Sequence, residues 1–469
     1  MSRVVLALTA LTLVVCGTST VTAESKLWVV NTDYENPAEI SSMDLESPWP
    51  IVNDLAQICP DPLLREFDGL FYVVGRSSCG DVEVLDPENN FNLLQSFSVG
   101  ADLNPQDIAL LSSTRAYVTR YDSNWILEVN PSTGAIVDSV SLDVFADDDG
   151  SAELSRMFYV APYLYVQVQR LDRTQFFTPV GDSYLAVIDP DTGALVDIDP
   201  KTSEVDGILL TGTNPFGEMW FDEANHELWI SEVGSFGVFD GGVDRVNTDS
   251  WTASGFVTSE VDLAGDVLDF AVDDANRVFV LIADATFATC VQAVDPASGV
   301  VDETVLCAAG YDFADLVVSD AGLLYLADRA ASDYGVRVFD AEDGTELTGM
   351  AIGTGNRKPV QLLLIEEDDP AAVADATNGT LPAILATPNP SSGSVLFELE
   401  NKAPVRLEIL DAQGRHVKTL RSTGRDRGTS NLIWEGRDAR GERISPGVYW
   451  ARIEHHDGSF EVARIVRVH

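Results

Sequence analysis

Residues 183–198 read SYLAVIDPDTGALVDI, and this stretch sets the period of most of the chain. Tyr184, Ala186 and Ile188 alternate with Leu185 and Val187, which is the two-residue period of a strand. Asp189-Pro190-Asp191-Thr192-Gly193 then interrupts the run. Pro presets φ for a turn and Gly takes the left-handed position that closes it, so a β-hairpin is expected. An Asp or Asn opens similar turns at Asp44, Asp86, Asn130, Asp189, Asn247, Asp295 and Asp340, between 42 and 59 residues apart. That is the period of four-stranded blades carrying loop insertions.

Strand-like runs precede these turns, among them Leu27–Val30, Ala116–Thr119 and Leu324–Ala327. An earlier strand opens several units, at Pro105–Leu110, Pro215–Trp220, Asp266–Val272 and Asp312–Val318. The first unit has no such opening strand, whereas an extra one, Lys358-Pro359-Val360-Gln361-Leu362-Leu363-Leu364-Ile365, follows the seventh. The economical arrangement is a ring in which 359–365 completes the first blade and so leaves no sheet edge open. The expected fold is all-β: a seven-bladed β-propeller over 24–367, a linker over 368–387 and a β-sandwich over 388–469. Six or eight blades stay open on this count, because units four and five are long.

The repeat resembles the YVTN-type propellers through Asn104-Pro105 with Ile108-Ala109, Ala116-Tyr117-Val118-Thr119 and Val187–Gly193. The resemblance implies an exported seven-bladed ring. After the acidic start of the linker (Glu366-Glu367-Asp368-Asp369-Pro370), short alternating segments follow with turns at Gln413-Gly414, Asp438–Gly441 and Asp457-Gly458. They read as a small sandwich. Pro388-Asn389-Pro390, Val405–Arg415, Trp434–Asp438 and Ser445–Tyr449 resemble the Ig-like module of the FlgD type and the related C-terminal sorting domains of type IX secretion. That resemblance implies a bacterial protein whose last domain engages secretion or surface-attachment machinery.

Charge and cysteines narrow the setting. The chain has 75 Asp and Glu against 29 Lys and Arg, a net of −46. The stretch from Ala376 to His469 is nearly balanced, so the excess sits on the propeller. Such a field repels nucleic acid and anionic lipid. Arg3, the apolar run Val4–Val15 and Val21-Thr22-Ala23 read as a signal peptide over 1–23, cleaved after Ala23. No later apolar run reaches the length of a membrane span. A secreted or cell-surface protein is expected. Export leaves four cysteines in an oxidising compartment. Cys59 and Cys79 flank the Asp68-Gly69 turn, and Cys290 and Cys307 flank Pro296–Gly299, so two disulfides are expected, Cys59–Cys79 and Cys290–Cys307.

Chemistry is less legible. The propeller holds one histidine, His226, in a turn between strands, which cannot build a His-rich metal centre. No G-x-S-x-G elbow accompanies it, so no catalytic residue is assigned. Asp147-Asp148-Asp149-Gly150 fails as an EF-hand, since Phe145 and Arg156 fall where acids are required. Asp107, Glu218, Asp269 and Asp315 occupy comparable places in four inner strands, with Gln361 as their analogue in the closing strand. Two readings stand. They bind a hard divalent cation, Ca²⁺, at the channel mouth, or they cap neighbouring strands through hydrogen bonds.

The longest loops, Asp143–Glu153, Arg170–Asp182 and Glu232–Gly242, are expected to bring Phe145, Phe176, Phe177, Phe236 and Phe239 to one rim beside Tyr34 and Trp49. Loops with exposed aromatics mark recognition surfaces. The functional expectation is a non-catalytic module binding a protein, glycan or small ligand. The alternative is an exported metal-dependent lactonase or lyase.

Overall fold

The structure, a computed structural model, describes residues 25–366 except 78, 101, 176, 203–205 and 274–276. In the C-terminal region it describes the strands between 384 and 467 with a few adjoining residues. The expected signal segment and residues 368–383 of the expected linker lie outside the described residues. The chain divides into a unit ending at Glu367 and one beginning at Asp368.

The first unit is a seven-bladed β-propeller. Blade 2 shows the plan: antiparallel strands Pro62–Phe67, Leu70–Gly75, Asp81–Asp86 and Asn92–Ser98, hydrogen-bonded in that order from first to fourth. Blades 3, 5 and 6 repeat it over 105–141, 215–259 and 265–307. In blade 4 the fourth strand shrinks to Ala194–Leu195, and Ile208–Leu209 pairs further along the same edge. Blade 7 has three strands, and its outer position is taken by 345–352 through bridges at Phe339–Glu346 and Val336–Ile352.

The recurring turn has one local cause. Each of the seven turn-opening Asp or Asn residues is the last residue of a third strand. In six of them the side-chain Oδ1 accepts the N–H two residues on: Asp86, Asn130, Asp189, Asn247, Asp295 and Asp340. This Asx turn satisfies a donor that the end of the strand would otherwise strand. Gly193, at φ 65°, then closes the bend with its N–H on the Asp189 carbonyl, 2.9 Å away.

Lys358–Ile365 lies antiparallel to Lys26–Thr32, pairing Leu27 with Leu364, Val29 with Leu362 and Val30 with Gln361. The last and first strands of the propeller thus share the first blade, in the order 51–58, 38–44, 26–32, 358–365. Strands alternate their side chains between two faces, and each face here meets the face of the adjacent blade. The propeller therefore has seven apolar clusters, one between each neighbouring pair. Leu27, Val29 and Leu362 join Tyr325, Ala327, Val336 and Val338 between blades 7 and 1.

Both expected disulfides are present. Cys290 and Cys307 are directly opposed in blade 6, and Cys59–Cys79 ties the entry into blade 2 to that blade's own second-to-third connection.

The C-terminal unit is a two-sheet sandwich. One sheet has the order 384–387, 395–399, 430–434, and the other 416–421, 406–411, 447–454, 460–467. Strand Ile384–Thr387 falls inside the range expected to be linker, because it finds a partner in Val395–Leu399 that its short sequence does not announce. Val395, Phe397, Leu407, Ile409, Trp434 and Ile465 are fully buried between the sheets. Trp434 meets Tyr449 edge-on and donates its indole N–H to the Arg437 carbonyl at 2.9 Å. Among the described residues no helix is long and apolar enough to cross a membrane.

Because the closing strand supplies Leu362 to the cluster between blades 7 and 1, Leu362→Ala is expected to cost about 2–5 kcal/mol in denaturant titration. Val300→Ala, on an exposed outer strand, is expected to change stability by less than about 0.5 kcal/mol. Equal effects would mean the ring does not depend on this closure.

Candidate functional site

Seven inner strands surround the central channel, and each presents one polar residue there. In blade order 1 to 7 these are Gln361, Arg65, Asp107, Arg156, Glu218, Asp269 and Asp315. Their placement comes from the backbone. In six inner strands the pairing register shifts beside this residue, as between Pro105 and Asp107, Leu154 and Met157, or Val267 and Asp269. An extra residue at such a bulge turns a side chain out of the simple alternation. The inner strand of blade 2 is regular and carries Arg65.

Arg65 organises the ring. Its Nε and Nη2 bond the two Asp107 oxygens at 2.8 and 3.0 Å, while Nη1 reaches Glu218 in blade 5 at 2.8 Å. The forked geometry is the strong one for a carboxylate. The Arg156 Nε lies 3.6 Å from the other Glu218 oxygen. Burial opposes the charge on Arg65, yet Asp107 and Glu218 hold it more firmly protonated than usual. Burial likewise works against the Glu218 charge, and Arg65 and Arg156 overcome it, leaving its pKa below the ordinary value. Asp107 Oδ2 also accepts the Met157 N–H of the next blade at 2.9 Å. Gln361 and Asp315 cap across blades in the same way, onto Leu64 N–H at 2.9 Å and Leu362 N–H at 2.6 Å.

Asp269 and Asp315 are left to each other. Burial and then the Asp269 charge push Asp315 well above the carboxylate range. Burial lifts Asp269 to about 6, against the hydrogen bond from Asp315. Both shifts belong to the pair and both favour keeping a proton between the two carboxylates. The four carboxylates expected to converge on one cation are thus divided between two arginines and one proton-sharing pair. Among the described residues no group of three or more Asp, Glu, His or Cys side chains is arranged to hold a metal. Arg65 and Arg156 escaped the sequence reading because the opening strands of blades 2 and 4 were not among those recognised, two of which, in blades 3 and 5, begin with Asn-Pro.

Two more buried acids carry raised pKa values beside blade 5. Glu260 is lifted to about 7 by burial, and Glu232 well above its usual value by burial and then Asp244. His226 sits in an exposed turn, 3.1 Å from Asp249.

The connections between second and third strands share one face of the ring with the blade-to-blade connections; this is the upper face. Tyr34, Phe177 and Phe236 are exposed there, and Phe239 is half-buried. Two expectations differ. Phe145 is buried between blades 3 and 4, because the turn Asp143–Phe145 folds inward and sets its ring against Tyr184. Trp49 lies in the third-to-fourth turn of blade 1, on the opposite face, packed on the cluster between blades 7 and 1. Phe176 is outside the described residues. Sequence reasoning missed Trp125, Phe216, Phe287 and Tyr311, all exposed on the upper face. They sit at strand starts or in short connections, and only loop length had been used as the signal. Eight aromatic side chains of the propeller are exposed among the described residues, and seven of them lie on this face; Tyr159 is the exception. A hollow of about 410 Å³ opens between blades 3, 4 and 5, with Phe177, Phe216 and Phe236 at its lip.

Residues 386–459 match the FlgD Ig-like domain. No curated protein sequence matches the chain. A putative 6-phosphogluconolactonase from Bacteroides fragilis aligns at 14% identity and TM-score 0.52, over 75% of this chain and all of that one. This likeness shows the propeller fold. PorZ, an essential bacterial surface component of the type IX secretion system of Porphyromonas gingivalis, aligns at 14% identity and TM-score 0.34 over 92% of this chain. The chain spans 64% of PorZ's length. A streptogramin B lyase aligns at 11% identity and TM-score 0.45, over 66% of this chain and 92% of that one.

Two outcomes follow from the channel. Arg65→Met leaves the fully buried Asp107 unpaired and is expected to cost about 3–5 kcal/mol in urea titration, most of it recovered in Arg65→Met/Asp107→Asn. The raised acids Asp269, Asp315, Glu232 and Glu260 bind protons in the folded chain that the unfolded chain has released. Stability is therefore expected to fall as pH rises from about 4.5 through 7, by up to about 1.4 kcal/mol per pH unit for each group. Asp315→Asn should flatten that dependence, and urea midpoints that rise from pH 5 to 7.5 would contradict it.

Proposed function

We propose that this protein is an exported bacterial recognition module. Its upper propeller face binds the ligand, and its FlgD-type Ig-like unit serves export or surface attachment. The observation that carries this reading is the one-sided display of aromatics: among the described residues, seven exposed rings on the loop-bearing face against one on the other. Isolated exposed apolar residues are ordinary, but a one-sided concentration of aromatics is a feature of binding surfaces. The two disulfides suit an oxidising, extracytoplasmic setting. The proposed signal peptide, with cleavage after Ala23, fits the same destination.

The channel supports the non-catalytic side. Asp107 and Glu218 are engaged by Arg65 and Arg156, so Ca²⁺ binding there would first have to displace two guanidinium groups. One observation favours the enzyme reading: Asp269 and Asp315 form an acid and carboxylate pair of the kind used in proton transfer. Both side chains, however, are nine-tenths buried.

The test sets the full chain against saccharide, peptide and lipid fractions of bacterial cell envelope by biolayer interferometry. Saturable binding is expected to weaken at least about tenfold in Phe177→Ala/Phe216→Ala/Phe236→Ala and to be unchanged in Asp269→Asn. Lactone or lyase turnover that disappears in Asp269→Asn, with the triple variant fully active, would overturn the proposal in favour of the enzyme.

A further inference from the structure

The hollow between blades 3, 4 and 5 differs from the rest of this acidic propeller in the chemistry of its lining. Its polar side chains are Asn104, Gln106, Tyr121, Ser155, Gln169 and Asn214, none of them charged. The larger hollow on the lower face, between blades 6 and 7, is lined by Asp273, Arg277, Asp320, Asp340 and Glu342.

The amides are held in fixed orientation. Gln169 Nε2 donates to Asn214 Oδ1 and to the Pro215 carbonyl, both at 2.9 Å, which uses both of its protons. Asn214 is itself anchored through Nδ2 to the Gly234 carbonyl at 3.0 Å and through its N–H to Ser183 Oγ at 2.9 Å. The Gln169 oxygen therefore cannot exchange places with its nitrogen. Gln169 is 96% buried, yet Oε1 has no partner among the described residues. Asn104 Oδ1 accepts from the Ser77 N–H and from Gln106 Nε2, both at 2.9 Å, and among the described residues Asn104 Nδ2 and Gln106 Oε1 have no partner. The Tyr121 hydroxyl likewise has no partner among the described residues. Burial, and then the Glu153 charge, push its pKa up, so the phenol stays neutral and can both donate and accept.

Two nearby cations are already matched. Arg173 lies over the Tyr121 ring at 4.9 Å but is bound to Glu153 and Asp122, and Arg156 faces Glu218. At the lip, Phe216 and Phe236 meet edge-to-face with centroids 6.2 Å apart, and both rings are exposed.

We propose that this groove binds a neutral glycan. A pyranose ring supplies hydroxyls that donate and accept at once, matching isolated neutral donors and acceptors in alternation. Its C–H face carries the partial positive charge that an aromatic face attracts. Phosphorylated or carboxylated sugars would find no unmatched cation here. A basic peptide, the natural partner of an acidic propeller, would find no carboxylate in the lining. The volume lies within the ordinary range of small-ligand sites. This inference rests on the recognition role proposed above and names its ligand class.

The full-length protein is titrated calorimetrically with maltohexaose, cellohexaose, chitohexaose, mannohexaose and xylohexaose, and with oligogalacturonate and a Lys-rich peptide as charged comparators. At least one neutral hexaose is expected to bind saturably, with an affinity that changes less than about twofold between 0.05 and 0.5 M NaCl. Phe216→Ala, at an exposed position that the core does not need, and Gln169→Ala should each weaken binding at least about tenfold. Tyr159→Ala, exposed on the opposite face, should leave it unchanged. Absence of binding by every neutral hexaose overturns the proposal, as does binding that neither groove variant changes. Groove-dependent binding of the peptide or of oligogalacturonate instead removes the neutral glycan and leaves the recognition role standing. Loss of envelope binding in Asp269→Asn, with the groove variants unaffected, removes both.

Discussion

The antiparallel pairing of Lys26–Thr32 with Lys358–Ile365 is the contact on which the rest of the propeller depends. Each blade is an amphipathic sheet with two apolar faces, and neither face can be buried except against a neighbour. Seven blades in an open row would leave two apolar faces and a sheet edge exposed. The closing strand removes both exposures, and it places Leu362 in the cluster between blades 7 and 1 and Leu363 and Ile365 against the cluster between blades 1 and 2. The closure is also what brings Gln361 into the same ring as Arg65 and Asp107.

Closing seven sheets around an axis forces seven inner strands together, and their polar residues must then be reconciled in a narrow space. Six of the seven are ionisable, and the arrangement reconciles their charges in two ways. Arg65 and Arg156 balance Asp107 and Glu218. Asp269 and Asp315 share a proton, and so avoid two adjacent buried negative charges. The result is a ring whose side chains are largely committed to one another and to backbone N–H groups of the next blade. Such networks specify geometry when every member is satisfied. Recognition is then left to the outer surface, where the upper face carries the exposed rings and the groove carries neutral, pre-oriented amides.

Much of this architecture was legible in the residues. The Asp or Asn that ends each third strand is a local device whose oxygen serves an N–H two positions away, so it reads from the chain alone. The supernumerary strand at 358–365 and the missing one before Leu27 together announced the closure. The cysteine pairs were legible because both members flank one turn or one hairpin. Other features were hidden for a physical reason. Trp49 and Phe145 sit in loops of suitable length, but the face a loop occupies depends on which strands it joins, and the direction of a side chain depends on the packing beneath it. The arginines of the channel were invisible because an Arg within an apolar strand looks like an edge residue until the ring brings Asp107 and Glu218 to its fork.

The order of strands, the repeat, the closure and the sandwich at the end follow from short-range patterns: two-residue alternation, turn chemistry and a count of units. The alternation and the turns act between residues a few positions apart, so the amino-acid order carries them, and the count of units built on them pointed to the closure. Which carboxylates meet which arginines, which acids share a proton, and which amide oxygens are left facing a groove depend on contacts between residues 42 to 153 positions apart, such as Arg65 with Asp107 and Glu218 or Gln169 with Asn214. Ring closure alone sets those distances, and they do not exist before it.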